Sequence, residues 1–353
     1  MVSPIALPSS KSLATLSRLL FAERNEDSGI ASIGRDEREH LLTLANTNHV
    51  LMRGLEVAVN ILPDAEWALT ALEAERARIT NATSFLHEIC GAFQEAGYEI
   101  LVIKSLDHWP DLGSDLDLYT TADAQEVLQL MSRRFHAQLA PRSWGDRLAH
   151  KWNFLIAGLP EAVEIHVGRL GQTGEQVTLA SRLVGRGRSV RIADYAFPVP
   201  AASDRLMIST LQRMYRHFYF RLCDILDTAT LAEAGAIDYE DLRSSAKDAG
   251  IWEGVATYLA IVSDYLKQWR GPGLDLPDFV LASARFGGAE VYFNRGFLRV
   301  PIVPQSARLY GTQLTGLLCK RELHSSARLG LLPWLATAAA VGEKITGSDK
   351  GIW

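Results

Sequence analysis

Two aspartates one residue apart, Asp115 and Asp117, lie in the segment 113–119 (GSDLDLY). The alternation of acidic and apolar residues predicts a short strand, with both carboxylates on one face and with Leu116 and Leu118 directed into the core. Two neighbouring carboxylates supply the hard oxygen ligands that suit Mg²⁺ or Mn²⁺ in proteins. The pair therefore predicts a divalent metal site on this strand.

A third carboxylate lies on a second predicted strand. The segment 162–167 (AVEIHV) alternates apolar and polar residues, which places Glu164 and His166 together on its polar face. If this strand pairs beside the Asp-x-Asp strand, Glu164 joins the metal site. Upstream, the apolar run 98–103 (YEILVI) has the length of a strand and leads into a polar turn that begins at Lys104. The sequence therefore predicts strand, turn and strand around the aspartates.

The segments 103–105 (IKS), 115–118 (DLDL) and 164–166 (EIH) resemble the active-site signature of the DNA polymerase beta-type nucleotidyltransferase superfamily. The resemblance is greatest to a large bacterial branch known simply as nucleotidyltransferase family proteins. In that branch a turn, often Lys-Gly, precedes an Asp-x-Asp strand, and a further acidic residue followed by His closes the metal site. The segment 211–250 also resembles the helical second half of that branch, so the resemblance spans roughly residues 40–270.

The resemblance implies metal-dependent transfer of NMP from an NTP to an acceptor hydroxyl, with release of pyrophosphate. It implies that the catalytic residues, which are also the ligands of Mg²⁺ (or Mn²⁺), are Asp115, Asp117 and Glu164. Glu164 would serve the ion that activates the acceptor, while the two aspartates would bridge both ions.

The same resemblance implies contacts with the nucleotide from Lys104, Ser105 and Ser114. Three further candidates for orienting a carboxylate, the acceptor or a phosphate are His166, Arg213 and His217. No motif names the acceptor, so a small molecule, a peptide or protein and an RNA end all stay open, as does the base of the NTP.

One position departs from the superfamily. Where its members usually have Gly-Gly, Gly-Ser or Lys-Gly, this chain has Lys104-Ser105. A glycine there allows backbone N–H groups to approach a triphosphate closely, because no Cβ intrudes. Serine can still donate a hydrogen bond but fits less freely. The departure therefore bears on phosphate binding and not on the metal site.

Two other functions are compatible with the residues alone. Asp-x-Asp also binds the Mn²⁺ and diphosphate of nucleotide sugars in metal-dependent glycosyltransferases, although those enzymes place the pair after a long nucleotide-binding α/β domain. A non-catalytic nucleotide-binding protein of the same fold is the other alternative, and Ser105 is its only hint. Clustered carboxylates speak against it, because like charges cost stability when no metal binds.

The basic residues Arg213, Arg216, His217 and Arg221 also have two interpretations. They could hold the phosphates of a nucleotide or an acidic acceptor. Alternatively, they form a solvated or salt-bridged face of one long helix, with Asp224 and Asp227 as partners at helical spacing.

The composition is that of an ordinary globular protein. The chain has 353 residues, 48% of them hydrophobic and 22% charged, which is enough for one large or two ordinary domains. Its net charge of −5 provides no overall basic field to gather nucleic acid. Cys90, Cys223 and Cys319 are far apart and lack metal-ligand spacing, so we expect buried thiols in a cytoplasmic protein. The late apolar run 329–341 is too short to span a bilayer, so we expect no membrane partner.

The predicted fold class is α+β, with a small mixed β-sheet nucleotidyltransferase core and helices, flanked by N-terminal helices and a C-terminal helical bundle. The predicted regions are an N-terminal helical segment 1–80, an α/β core 81–202, a helical domain 203–270 and a C-terminal region of loops and helices 271–353. Helices are predicted at 13–22, 37–60, 64–79, 82–96, 203–234, 239–249 and 253–268, with a break at Pro63-Asp64 and a further helix capped by Asp123. Additional short strands are predicted at 152–156, 190–192 and 196–199.

Overall fold

The computed structural model describes residues 11–22, 30, 34–62, 65–171 and 177–346. Its helices are α1 (Lys11–Phe21), α2 (Arg35–Thr47), α3 (Leu51–Ile61), α4 (Glu66–Glu95), α5 (Ala124–Phe135), α6 (Trp144–Leu148), α7 (Val177–Leu183), α8 (Ala202–Tyr215), α9 (Leu222–Glu233), α10 (Tyr239–Asp248), α11 (Trp252–Arg270), α12 (Asp278–Ser283), α13 (Ala307–Cys319) and α14 (Leu323–Thr346). Its strands are β1 (Ile100–Val102), β2 (Asp115–Thr120), β3 (Gln138–Leu139), β4 (Lys151–Leu155), β5 (Ala162–Val167), β6 (Arg188–Ile192), β7 (Tyr195–Val199), β8 (Tyr219–Phe220), β9 (Tyr292–Asn294) and β10 (Phe297–Arg299). The predicted break at Pro63-Asp64 lies outside the described residues.

A five-stranded mixed sheet in the order β1-β2-β5-β4-β3 lies at the centre of the α/β part. Strands β2 and β5 run parallel, whereas the other neighbouring pairs run antiparallel. The apolar residues that alternate along β2 and β5 are fully buried against α4 and α5; they are Leu116, Leu118, Val163 and Ile165. The sheet and its helices confirm the predicted α+β class. The predicted strands at 190–192 and 196–199 form a separate two-stranded ribbon, β6–β7.

Two helix boundaries in the N-terminal part differ from the prediction: two predicted helices are joined into one, and one predicted helix is split into two. The segments 64–79 and 82–96 are predicted as separate helices, but their residues 66–79 and 82–95 belong to the single helix α4. Its apolar stripe continues from Ile79 to Ala82 without a helix-breaking residue, so the predicted region boundary between 80 and 81 falls inside α4. The segment 37–60, predicted as one helix, is split into α2 and α3.

The split between α2 and α3 is stabilised by a side chain. Asn48 donates hydrogen bonds to the carbonyl oxygens of Leu44 and Gly296, at 2.9 and 2.8 Å, and its Oδ1 accepts one from Leu222 N at 3.1 Å. Asparagine competes in this way with backbone hydrogen bonding and favours a helix end. The next residue, His49, has a left-handed backbone with φ of 52°.

The segment 203–234 is also interrupted, contrary to the prediction of one long helix. Helix α8 ends at Tyr215, the short strand β8 follows, and α9 begins at Leu222. Strand β8 pairs with β10 from the C-terminal region, in a three-stranded sheet of order β8-β10-β9. Long-range pairing therefore overrides the helical pattern of the local sequence.

The C-terminal region forms the predicted loops and two helices, α13 and α14, together with strands that the sequence analysis missed. Strands β9 and β10 have three residues each, too few to show an alternating pattern. Within the described residues, none of the helices combines the length and apolar character needed to cross a membrane. Cys90 and Cys223 are buried as predicted, but Cys319, the last residue of α13, is exposed.

The N-terminal helices pack against the C-terminal half of the chain. Apolar residues of α1, α2, α8, α9 and α11 belong to one hydrophobic cluster, and Ser17 is hydrogen-bonded to Tyr265 at 2.6 Å within it. A second cluster fills the space between the central sheet, α4 and α5. Residues far apart in the sequence are thus held around a common cleft.

Candidate functional site

Asp117 and Glu164 are brought together by the central sheet. Their Cα atoms are direct partners across the parallel strands β2 and β5. Both side chains lie on the face opposite the apolar core residues, and both residues are buried, with 8% and 9% exposed surface. Two carboxylates that the sequence separates widely are therefore fixed beside each other, as predicted for the strand of Glu164.

Lys104 lies at the apex of a strained turn above these carboxylates. Its φ and ψ are 65° and −58°, and Ser105 N donates a hydrogen bond to Ile103 O at 2.7 Å. These values define a γ-turn of the rare positive-φ type, which is unfavourable for a residue with a side chain. Lys104 Nζ contacts Asp117 Oδ1 and lies 3.6 Å from Glu164 Oε1. The turn thus aims its ammonium group at the two carboxylates.

Ser105 contacts the strand that carries the aspartates. Its hydroxyl accepts a hydrogen bond from Asp117 N at 2.7 Å and donates one to Asp115 O at 3.2 Å. Ser105 is buried, and both its hydroxyl and its N–H form hydrogen bonds within the protein. These contacts position β2 beneath the turn, and they give no support to the predicted contact with phosphate.

Asp115 occupies a different environment from Asp117. It lies at the exposed beginning of β2, and the exposed Ser114 hydroxyl donates a hydrogen bond to its Oδ1. The side chains that present oxygen or nitrogen donors within 4.8 Å of one another are those of Asp117, Glu164 and His166. His166 Nε2 lies 2.9 Å from Glu164 Oε1 and 3.8 Å from Asp117 Oδ1. Asp115 lies outside this group of three.

Two functional candidates, Lys151 and Asp146, were missed by the sequence analysis. Lys151 begins β4, where its Cα pairs with that of His166, and its Nζ lies 2.7 Å from Glu164 Oε2. The same Nζ lies 3.1 Å from Asp146 Oδ1. The polar positions Lys151 and Asn153, which alternate with the apolar residues of β4, were the signal that could have revealed this face.

The charges around the carboxylates determine how each of them ionises. Burial raises the pKa of Asp117, although Lys104 opposes this effect. Burial also disfavours the charged form of Glu164, but Lys104, His166 and Lys151 outweigh it and hold the pKa of Glu164 well below its usual range. Glu164 is therefore an anion at neutral pH, and Asp117 is the carboxylate whose charge a bound cation would stabilise most.

The group of Asp117, Glu164 and His166 has the donor atoms of a divalent metal site. Asp117 Oδ1 is buried and accepts no hydrogen bond of ordinary geometry from the described residues, although Lys104 contacts it. The ring nitrogen of His166 that faces both carboxylates is Nε2. Two carboxylates and one imidazole fit Mg²⁺ or Mn²⁺, and the imidazole suits Mn²⁺ better.

The carboxylates lie in a cleft with a volume of about 1340 Å³. This volume exceeds the range of roughly 300–1,000 Å³ that is usual for sites that bind one small molecule. Predicted site residues at the cleft wall are Lys104, Ser105, Ser114, Asp115, Asp117, Glu164, His166, Arg213 and His217. The C-terminal region also contributes residues to the wall, including Arg299 and Tyr310, which sequence reasoning did not connect with the site.

Arg213 is a structural ion-pair residue in this wall. It is 3% exposed, and its Nε lies 2.7 Å from Asp224 Oδ2. The predicted pairing with Asp224 is present, but it crosses the interruption between α8 and α9 and does not follow a continuous helix. His217 lies in the same interruption, and burial together with the nearby arginines lowers its pKa to about 3. His217 is therefore neutral at physiological pH.

Two other arginines surround an aromatic ring at the cleft wall. The guanidinium groups of Arg221 and Arg299 lie 5.8 and 5.0 Å from the centre of the Tyr219 ring. They also lie 6.0 and 5.4 Å from the Phe297 ring. In the described part of the chain neither guanidinium has an acidic partner within ion-pair distance, so both remain available to bind an anion.

Arg78 on α4 holds the strands of both carboxylates, β2 and β5, in place. It donates hydrogen bonds to Glu75 at 2.7 Å, to Leu112 O at 2.9 Å and to Gly113 O at 3.3 Å, and it also contacts Glu161. Gly113 precedes β2 and Glu161 precedes β5. One guanidinium therefore fixes the entry of the two strands that carry Asp117 and Glu164.

Comparison with known proteins gives only distant similarities. No protein-family model and no curated protein matches the chain. An antigenic nucleotidyltransferase-like protein from Paracoccidioides brasiliensis has 12% sequence identity and a TM-score of 0.34, and the match covers 48% of this chain and 87% of that one. A tRNA-processing enzyme has 12% identity and a TM-score of 0.27, with 54% of this chain and 56% of that one covered. At such TM-scores the two similarities carry no argument about function.

Proposed function

We propose that this protein is a metal-dependent nucleotidyltransferase that transfers NMP from an NTP to a hydroxyl group of an acceptor and releases pyrophosphate. The observation that carries the proposal is the pairing of Asp117 with Glu164 across parallel strands, beneath the Lys104 turn and inside a large cleft. The same three segments carry the sequence resemblance to nucleotidyltransferases.

Asp117 and Glu164, with His166 beside them, would hold Mg²⁺ or Mn²⁺, and Asp115 would contribute from the exposed end of β2. When bound, the metal would offset charge on the triphosphate and lower the pKa of the acceptor hydroxyl. Glu164 is poised for this role because it is already ionised, and Lys151 and His166 fix the directions of its two oxygens.

Lys104 would bind the phosphate oxygens of the NTP. In the structure its Nζ contacts the carboxylates that would hold the metal, so it supplies the positive charge that they need. Lys104 lines the cleft, and its ammonium group would exchange its contact with Asp117 for the oxygens of a triphosphate once a metal ion binds the carboxylates. We assign Ser105 to the positioning of Asp117 and not to phosphate binding, because its hydrogen-bonding groups are engaged.

Arg221 and Arg299 would bind the remaining charge of the triphosphate. They lie on the wall of the same cleft without carboxylate partners among the described residues, whereas Arg213 is neutralised by Asp224. Arginine suits this task because its planar group binds phosphate oxygens in pairs. In the transfer, a bond would form between the acceptor oxygen and the α-phosphorus while the bond to the β-phosphate oxygen breaks.

The position of the Asp-x-Asp pair in the chain argues against the glycosyltransferase alternative. Those enzymes place the Asp-x-Asp pair after a long nucleotide-binding α/β domain. Here the described residues before Asp115 form α1 to α4, the three-residue strand β1 and one short helical turn. The non-catalytic alternative rested on Ser105, whose hydrogen bonds to β2 explain the serine without a loss of activity.

The test measures ligand binding and turnover together. Thermal shifts are recorded with each NTP and with UDP-sugars, in the presence and absence of Mg²⁺ or Mn²⁺, for the wild type, Asp117→Asn and the exposed control Asp194→Asn. We expect one NTP to stabilise the protein only with metal and with Asp117 intact. In a pyrophosphate-release assay Asp117→Asn should lower turnover by about a thousandfold, because a metal ion contributes several kcal/mol and each 1.36 kcal/mol is tenfold.

The other outcomes decide between the alternatives. Stabilisation by a nucleotide sugar alone would replace nucleotidyl transfer with glycosyl transfer. No response to any nucleotide would favour a non-catalytic role. Unchanged turnover of a well-folded Asp117→Asn variant would remove the metal site from the mechanism.

A further inference from the structure

A second cluster of metal-binding side chains lies apart from the carboxylates. His49, His108 and Cys223 each bring one donor atom to within 4.8 Å of the other two. They belong to three separate parts of the chain: the connection between α2 and α3, the helical turn Ser105–His108, and the first turn of α9. The spacing in the sequence does not reveal this cluster, because only the tertiary fold assembles it.

His108 is oriented with one ring nitrogen directed at the cluster. Its Nδ1 lies 2.5 Å from Asp227 Oδ2, and Arg53 Nη2 holds the other oxygen of Asp227 at 3.1 Å. The Nε2 atom then faces Cys223 Sγ at 4.0 Å. A carboxylate bound to one nitrogen while the other points at a thiol is the arrangement that orients metal-binding histidines.

His49 presents a nitrogen that the protein leaves unsatisfied. Its Nδ1 is buried and has no hydrogen-bond partner in the described part of the chain. Its ring meets that of His108 edge to face, with 5.4 Å between the ring centres. A buried polar atom without a partner costs free energy. A metal ion bound through this nitrogen would supply the missing partner.

Cys223, His108 and Asp227 are also connected in the way that a catalytic triad is, but the burial of the Cys223 thiol argues against that role. Cys223 has no exposed surface. A nucleophilic thiol must contact its substrate, whereas a metal-binding thiol needs only to contact the ion. His49 and His108 line the cleft, and Cys223 lies behind them.

We propose that His49, His108 and Cys223 bind one Zn²⁺ ion. A thiolate and two imidazoles are the donors that zinc prefers, and a water molecule from the cleft would complete the tetrahedron. In such a site the sulfur and nitrogen ligands lie about 3.5 Å apart, so the observed 4.0 Å between Cys223 and His108 requires only a small adjustment.

The charged side chains in contact with His108 and Arg53 balance a divalent ion, and the guanidinium of Arg221 adds a further positive charge near His49. With zinc bound, Cys223 is a thiolate and both histidines are neutral. The two positive charges of the ion and the one of Arg53 then balance the three negative charges of Cys223, Asp111 and Asp227. Arg53 is ion-paired with both aspartates, at 2.6 and 3.1 Å, so these groups form one connected network.

The ion would hold the Lys104 turn against the helical half of the protein. His108 is the last residue of the short helical turn that follows Lys104, and it packs against the first part of α9. Zinc would thus fix one end of this turn while the hydrogen bonds of Ser105 fix the other end. This role is a positioning role, and it stands whether or not the carboxylate site transfers nucleotides.

The test uses Co²⁺ as a spectroscopic probe for Zn²⁺ in the full chain. The protein is reduced, stripped of metal with a chelator and titrated with Co²⁺. We expect one equivalent to produce an absorption band from thiolate-to-cobalt charge transfer, and Zn²⁺ to displace it. Cys223→Ser should abolish the band, while Cys90→Ser and Cys319→Ser should keep it.

Two further variants make the result specific. His49→Gln should weaken Co²⁺ binding by at least about tenfold, because outer-shell partners alone contribute about 10–100-fold. His49 is only partly buried, so this variant decides the question if Cys223→Ser fails to fold by circular dichroism. Asp117→Asn should leave the band unchanged, which separates this cluster from the carboxylate site. The absence of a thiolate band, or a band that survives in folded Cys223→Ser, would overturn the proposal.

Discussion

Lys104 Nζ contacts Asp117 Oδ1 across the mouth of the central sheet, and it does so from a backbone conformation that is strained for any residue with a side chain. The γ-turn places the ammonium group over the paired strands β2 and β5. Strain of this kind persists where the surrounding structure enforces it, and it is concentrated at functional sites. The strain in this turn can therefore be measured by comparing substitutions of Lys104.

Replacing Lys104 with Gly should give a more stable protein than replacing it with Ala. Both variants lose the ion pairs with Asp117 and Glu164, but only Gly relieves the φ of 65°. We expect Lys104→Gly to exceed Lys104→Ala by about 1 kcal/mol in the free energy of unfolding. Urea denaturation of the two variants measures the difference. A more stable Ala variant would show that the turn is not strained.

Removing the Arg221 or Arg299 side chain should weaken triphosphate binding. Each guanidinium lacks an acidic partner among the described residues and would form charge-assisted hydrogen bonds with phosphate. We expect Arg221→Ala and Arg299→Ala each to raise the Kd of the preferred NTP by about tenfold or more. Calorimetric titration should show little change for the corresponding nucleoside. Arg243→Ala, which removes an arginine stacked on Phe279 outside the cleft wall, serves as the control. Equal losses for NTP and nucleoside would contradict a phosphate role.

Protonation of His217 should destabilise the fold in mild acid. Its pKa is lowered to about 3 in the folded protein by burial and by nearby arginines, whereas an unfolded histidine titrates near pH 6.5. The unfolded chain therefore binds the extra proton first, so stability is complete above about pH 6.5 and is lost as the pH falls toward 3. Between about pH 7 and pH 5, the free energy of unfolding of His217→Gln should fall by about 1–2 kcal/mol less than that of the wild type.

Urea denaturation at several pH values measures this effect. His324→Gln, a change at an exposed position, is the matched control and should follow the wild type. If His217→Gln has the same pH dependence as the wild type, the histidine is not held in its neutral form.

Removing Arg78 should destabilise the start of the two strands that carry Asp117 and Glu164. Arg78→Ala leaves the carboxylates of Glu75 and Glu161 without their guanidinium partner, and Glu161 is 2% exposed. We expect a loss of about 2–4 kcal/mol in the free energy of unfolding. Adding Glu161→Gln to Arg78→Ala should recover part of it, because the second change removes the unpaired charge. Strict additivity of the two changes in a double-mutant cycle would show that the ion pair is not coupled.

The local sequence determined the elements of the candidate site. Alternation along 113–119 and 162–167 placed Asp117 and Glu164 on strands and predicted which face each side chain occupies. This information is local, because the two-residue period of a strand directs side chains without reference to the rest of the fold. The α+β class follows from the same patterns, since a short sheet and its helices were visible as separate apolar runs.

The surroundings of the site were decided by contacts between distant segments. Lys151 reaches Glu164 only because β4 pairs with β5, and Arg299 reaches the cleft only because β10 pairs with β8. The interruption between α8 and α9 has the same origin, because hydrogen bonds to β10 outweigh a local preference for helix. The sequence by itself thus determined which residues could act together on the two strands. Tertiary structure decided which charges surround these residues, and it brought His49, His108 and Cys223 together. Both arrangements depend on contacts between distant segments, which the residue pattern of a single segment does not show.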